Sequence, residues 1–172
     1  MSFQSYTDYL LLEKNYSVLT VKAYQNDLED FLEFIKHEYE SNSINKVNYS
    51  QIRSWIVSLV ENGIANRSIN RKVSALNTYF KFLLKTGDIN SNPLSKHQAL
   101  KTSKKIQIPF SEAEIKTVLD DLNFADDFDS VRDKFIIELF YSTGIRRIEL
   151  VQLKLTSIDL NTKTLKVLGK RN

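Results

Sequence analysis

The chain has 172 residues, 42% of them hydrophobic and 26% charged, with a formal net charge of +3, a composition that suits one large or two small globular domains with a buried core. It contains no cysteine and two histidines, His37 and His97. This excludes a disulfide framework, a thiolate nucleophile and a thiolate metal site, and two histidines do not suit a zinc site. No apolar run reaches membrane-spanning length and the N-terminus lacks a basic segment followed by a long apolar one, so no membrane partner is expected and the location read from the sequence is cytoplasmic.

Residues 3–13 place Phe3, Tyr6, Tyr9, Leu10 and Glu13 at helical spacing, with Leu11 and Leu12 widening the apolar face. Ser17 or Thr20 is suited to cap a second helix carrying Tyr24, Leu28, Phe31, Leu32 and Phe34. A polar interval over 40–46 precedes a third, from about Ser50 to Glu61, expected to bury Ile52, Trp55, Ile56, Leu59 and Val60 before Asn62-Gly63 ends it. Ser68 is the expected cap of a fourth, which carries Ile69, Val73, Leu76, Tyr79, Phe80 and residues 82–84 until Gly87. Residues 91–109 hold both prolines and no carboxylate, and read as an extended basic connection. Ser111 and Glu114 form a capping-box pattern that starts a new helix with Ile115, Val118, Leu119 and Leu122. After the acidic residues 126–129, another helix carries Val131, Phe135, Ile136, Leu139 and Phe140 up to Gly144. A short helix from about Arg146 to Leu153 follows, then two short runs around Asn161 that read as a β-hairpin.

The charge is unevenly placed. Residues 62–111 hold nine lysines and arginines against Asp88 alone, a local excess of +8 that leaves the rest of the chain at −5. Such a block suits a polyanion. On the fourth helix Arg67, Asn70, Arg71, Ser74, Asn77 and Lys81 lie away from the apolar stripe, the arrangement a helix in a DNA major groove requires. Lys72 and the connection lysines Lys101, Lys104 and Lys105 extend the candidate contact. The alternative is a solvated helix face and loop.

Near the end, Arg146 follows Thr143-Gly144-Ile145, Glu149 lies three residues on, and Lys170 follows a strand and a glycine. A guanidinium after a turn suits phosphate, Glu149 is placed to orient it, and an ammonium suits a departing oxygen. The same residues also read as a surface ion pair and an ordinary hairpin lysine.

Tyr141-Ser-Thr-Gly-Ile-Arg-Arg-Ile-Glu-Leu-Val-Gln-Leu153, Ile158-Asp159 and residues 167–172 resemble the start of the catalytic domain of tyrosine site-specific recombinases of the phage integrase family, especially Xer-type members. Thr20, Ala23-Tyr24, Asp27-Leu28, Phe31, Ser68-Ile-Asn-Arg71, Ser74-Ala75-Leu76 and Asn92-Pro93 resemble the family's core-binding domain. The resemblance implies a mainly α chain. A four-helix, SAM-like core-binding domain (1–98) is followed by a basic linker (99–109). A truncated α+β catalytic domain with a β-hairpin (110–172) completes it. It implies that Arg146 is the first catalytic arginine, Glu149 its supporting carboxylate and Lys170 the hairpin lysine that assists the leaving 5′-oxygen. Arg171 stands where the family has glycine. The nucleophilic tyrosine has no counterpart, since all eight tyrosines precede Arg146.

The reading is therefore the N-terminal portion of a recombinase. The implied full-length reaction cuts and rejoins duplex DNA through a 3′-phosphotyrosyl link, without metal or nucleotide, by four protomers on paired sites. The present chain is expected not to cleave DNA. Two alternatives stay open: a DNA-binding regulator of recombinase origin without catalysis, and a helical protein-interaction module.

Overall fold

The structure, a computed structural model, describes residues 3–104, 106–121 and 127–169. The chain divides into two compact units, Met1–Lys105 and Ile106–Asn172.

The first unit is helical. Helix α1 (Gln4–Asp8) runs directly into a π-helical turn (Tyr9–Glu13). The Lys14 N–H reaches back to the Tyr9 carbonyl at 3.1 Å, one residue further than an α-helix would. The expected single helix over 3–13 is thus two segments of different winding. Helix α2 (Val18–Tyr39) starts where Ser17 accepts from the Thr20 N–H. Helix α3 (Tyr49–Glu61) opens on a reciprocal capping box, Asn48 accepting from the Gln51 N–H while Gln51 accepts from the Asn48 N–H. Helix α4 (Asn66–Thr86) begins earlier than Ser68 suggests. Its N-cap is Ala65, whose carbonyl accepts from the Ser68 and Ile69 N–H groups, leaving Ser68 inside the first turn. Gly87 ends α4 at φ +81°, and the Asp88 N–H closes on the Leu83 carbonyl, the left-handed stop for which glycine is favoured.

Helix α4 packs on α2 and α3. Leu28, Phe31 and Ile35 of α2, Ile52 and Trp55 of α3, and Ile69, Leu76 and Phe80 of α4 are buried together. Tyr6 packs edge-on against Tyr79 at 5.0 Å between ring centroids, and Phe3 meets the same ring at 5.5 Å. The first segment is therefore anchored on α4 by aromatic contacts. Val60, expected in the core, is exposed. The α-helical rotation carries it to the flank of the stripe that Ile52, Trp55 and Ile56 form.

The second unit contains α5 (Glu112–Asp121), α6 (Phe128–Thr143), α7 (Arg147–Val151), a 3₁₀ turn (Leu155–Ser157) and an antiparallel pair, β1 (Ile158–Asp159) and β2 (Thr164–Leu165). Ile158 faces Leu165 and Asp159 faces Thr164. The Asp159 carboxylate accepts from the N–H groups of Asn161 and Thr162, closing the hairpin turn. Glu114 and Ser111 form the expected box at α5, and Asp127 caps α6 through the Ser130 N–H. Among the described residues of this unit Leu139 is the one buried hydrophobic, while Val118, Val131 and Phe135 are exposed. Ile115 and Leu119 of α5 and Ile136 and Phe140 of α6 are half-buried, so among the described residues the apolar faces of these two helices are only partly covered.

Candidate functional site

Helix α4 presents a strip of Arg67, Arg71, Ser74 and Lys81, all exposed. Its two borders are fixed by hydrogen bonds. On one side lies α2, where Asp27 is 3% exposed. Both oxygens of Asp27 meet the Arg71 guanidinium, through Nη1 and, at 3.0 Å, through Nη2. Lys72 Nζ reaches Asp27 at 3.2 Å and Asp30 at 2.5 Å. Burial alone would lower the Lys72 pKa, but the hydrogen bonds to Asp30 and Asp27 outweigh it and raise the value. Lys72 therefore serves inside the unit and does not share the outward position of Arg67 and Lys81.

On the other border a strap of residues 92–101 lies along α4. Asn70 donates to the Leu100 carbonyl and accepts from the Leu100 N–H, both at 2.9 Å. Asn66 donates to the Lys101 carbonyl at 2.8 Å, and Asn77 accepts from Asn92 at 2.8 Å. Leu94 of the strap is buried against the helices. The start of the expected extended connection is thus stapled to the first unit by asparagines. The amides of Asn70 and Asn77, expected to face outward, hold the strap. Lys101 and Lys104 are exposed, and Lys105 lies outside the described residues.

Asp27 was not among the candidate residues of the sequence. The signal was present, because it interrupts the apolar stripe of Tyr24, Leu28 and Phe31 at helical spacing. An acid in that position requires a buried partner.

In the second unit Gly144 ends α6 at φ +63°, and Arg146 is the N-cap of α7 in an extended conformation. Thr143 Oγ1 accepts from the Ile145 N–H, which stiffens the turn. One Glu149 oxygen accepts from the Arg146 main-chain N–H at 2.9 Å and the other from Arg146 Nη1 at 2.6 Å. The Arg146 N–H and then its guanidinium hold the Glu149 carboxyl below its usual range. Glu149 is buried, whereas the Arg146 side chain is 66% exposed. The carboxylate thus fixes the backbone and one end of the guanidinium and leaves the other end accessible. This geometry is suited to an anion with several oxygens. Lys170, the third member of the expected set, lies outside the described residues.

Two family models cover most of the chain: the phage integrase N-terminal SAM-like domain over residues 3–87, and the phage integrase family over residues 110–172. The chain belongs to the phage integrase family of tyrosine recombinases. It is 35% identical to the tyrosine recombinase XerC of Anoxybacillus flavithermus, over 97% of this chain and 55% of that protein. It is 37% identical to XerC of Leptospira interrogans, over 97% of this chain and 54% of that protein. The chain spans about half the length of these relatives. Among solved structures, the Tn1549 transposon integrase in complex with circular intermediate DNA shares the fold at a TM-score of 0.71 and 21% identity, over 96% of this chain and 53% of that one.

Proposed function

We propose that the chain is the N-terminal part of a site-specific tyrosine recombinase and that its first unit binds duplex DNA through the α4 strip. The observation that carries the reading is the placement of Arg67, Arg71, Ser74 and Lys81 along one exposed face, bordered by the strap that brings Lys101 to the start of the same helix. Cations so aligned neutralise successive phosphates, and arginine and serine are placed to meet base edges. Residues 1–98 are the core-binding part, 99–109 the linker and 110–172 the opening of the catalytic part. In the longer protein Arg146 stabilises the phosphate under attack, Glu149 orients the Arg146 guanidinium and Lys170 assists the leaving oxygen. That protein works in the cytoplasm as four protomers on paired sites, cutting and rejoining DNA through a 3′-phosphotyrosyl link supplied by a tyrosine outside this sequence.

The test is fluorescence anisotropy of a labelled mixed-sequence duplex at rising salt. Binding that weakens steeply with salt, and whose log–log slope falls by about two when Arg67 and Lys81 are both replaced by alanine, is the expected result. No binding at low salt would count against the reading and favour a protein-interaction module.

A further inference from the structure

The α4 strip carries an acid at its border, and a phosphate-binding surface gains nothing from a carboxylate unless the carboxylate has another task. We propose that Asp27 is a positioning residue for DNA binding: its buried carboxylate fixes the Arg71 guanidinium so that the outer donors of that guanidinium meet the nucleic acid. The inference rests on the duplex-binding reading of α4.

Three features of the pair support it. Both carboxylate oxygens engage both terminal nitrogens of Arg71, a fork-to-fork pairing that sets the plane of the guanidinium as well as its place. Two of its five N–H groups are used, so three donors remain, and the side chain is still 49% exposed. The acid itself is sealed, at 3% exposure, between α2 and α4. A buried ion pair is poor ground for stability, because apolar packing of the same volume often serves as well. An arginine held in one orientation, by contrast, loses less rotamer freedom when it binds.

Charge accounting sharpens the point. Asp27 and Asp30 balance Arg71 and Lys72, so the cluster adds no net charge to the strip. What Arg71 contributes to binding therefore depends on where its guanidinium is held.

Charge and position therefore make opposite forecasts for Asp27→Asn. If Asp27 is only an acid beside a polyanion site, removing its charge tightens binding. If it positions Arg71, binding weakens by about tenfold, the loss of one well-formed arginine contact, despite the added net positive charge. The salt slope falls by about one as well. The measurement is anisotropy with the 172-residue chain and a labelled mixed-sequence duplex, with circular dichroism and thermal unfolding on each variant. In an Arg71→Ala background Asp27→Asn should change affinity by less than about twofold, because the contact it serves is already gone. Arg71→Lys, which keeps the charge and loses the fork, should also weaken binding. If Asp27→Asn does not fold, Arg71→Lys decides alone, and wild-type affinity there overturns the proposal.

Unchanged or tighter binding by folded Asp27→Asn, with Arg67→Ala and Lys81→Ala both weakening, overturns the positioning role and leaves the duplex reading intact. Absence of binding by the unsubstituted chain at low salt removes both.

Discussion

The side-chain amide of Asn70 closes a two-bond ring on the main chain of Leu100, donating to its carbonyl and accepting from its N–H at 2.9 Å each. A strand partner would make the same pair of bonds. Here one helical side chain makes them for an irregular segment.

Asn70→Ala should consequently release the strap. Two hydrogen bonds of this kind are together worth about 1–3 kcal/mol, and the expected result is a matching fall in unfolding free energy. Hydrogen exchange at the Leu100 amide should accelerate well beyond that of α4. An unchanged Leu100 exchange rate would show that Leu94 burial alone holds the strap.

Lys72 and Lys81 share a helix but differ in surroundings. Lys72→Met removes a charged group from both Asp27 and Asp30 and should destabilise the first unit by about 1.5–3 kcal/mol. Lys81→Met, on the exposed strip, should stay within about 0.5 kcal/mol of the parent. Denaturant titration of the two variants measures the difference, and equal values would mean that Lys72 is not committed to the interior.

The Glu149 carboxyl is held below its usual value of 4.5 by the Arg146 N–H and then by its guanidinium. A carboxyl whose folded-state pKa is depressed stabilises the fold above its ordinary value, and that contribution disappears as pH falls through the lower, folded-state value. Carboxyl-carbon NMR should place the Glu149 midpoint below 4.5. Arg146→Ala should raise the midpoint only part of the way, because the main-chain N–H at that position remains. A midpoint insensitive to Arg146→Ala would remove the guanidinium from the account.

Gly144 sits at φ +63° with open space where a Cβ would point. Gly144→Ala should therefore cost about 1–2 kcal/mol through backbone strain alone, and Gly144→Asn less, since asparagine tolerates this region. Faster exchange of the residue 144 and Leu150 amides, which donate to the Phe140 and Arg146 carbonyls, in the alanine variant would register the loosened turn, and parent-like exchange would argue against it.

Much of this architecture could be read from residue order. Apolar spacing marked α2, α3 and α4, and the Ser111–Glu114 box and Gly87 and Gly144 marked helix ends, because each depends on a few neighbouring residues. The features that escaped depend on distant partners. Ala65 caps α4 without a side-chain bond, so no residue type announced it. The strap was hidden in a lysine-rich stretch, because its fastenings are asparagines some thirty residues earlier. Asn70 and Asn77 lay on the correct side of α4, but spacing cannot tell a side chain that meets solvent from one that meets a returning segment. The Arg146–Glu149 pair was evident from its separation. The burial of the acid and the exposure of the base became visible only in three dimensions.

The π-helical turn at Tyr9–Glu13, which closes the first segment, winds one residue wider than an α-helical turn. Deleting a single residue there would let the helix rewind and turn everything before it by about 100°, swinging Phe3 and Tyr6 away from Tyr79. Many exchanges of one side chain for another in this segment would leave that anchorage in place, but a change in residue count would not. The count of residues between Tyr6 and Ser17, more than their chemistry, sets how the first segment docks, so this is a part of the chain where length polymorphism should be rarer than substitution.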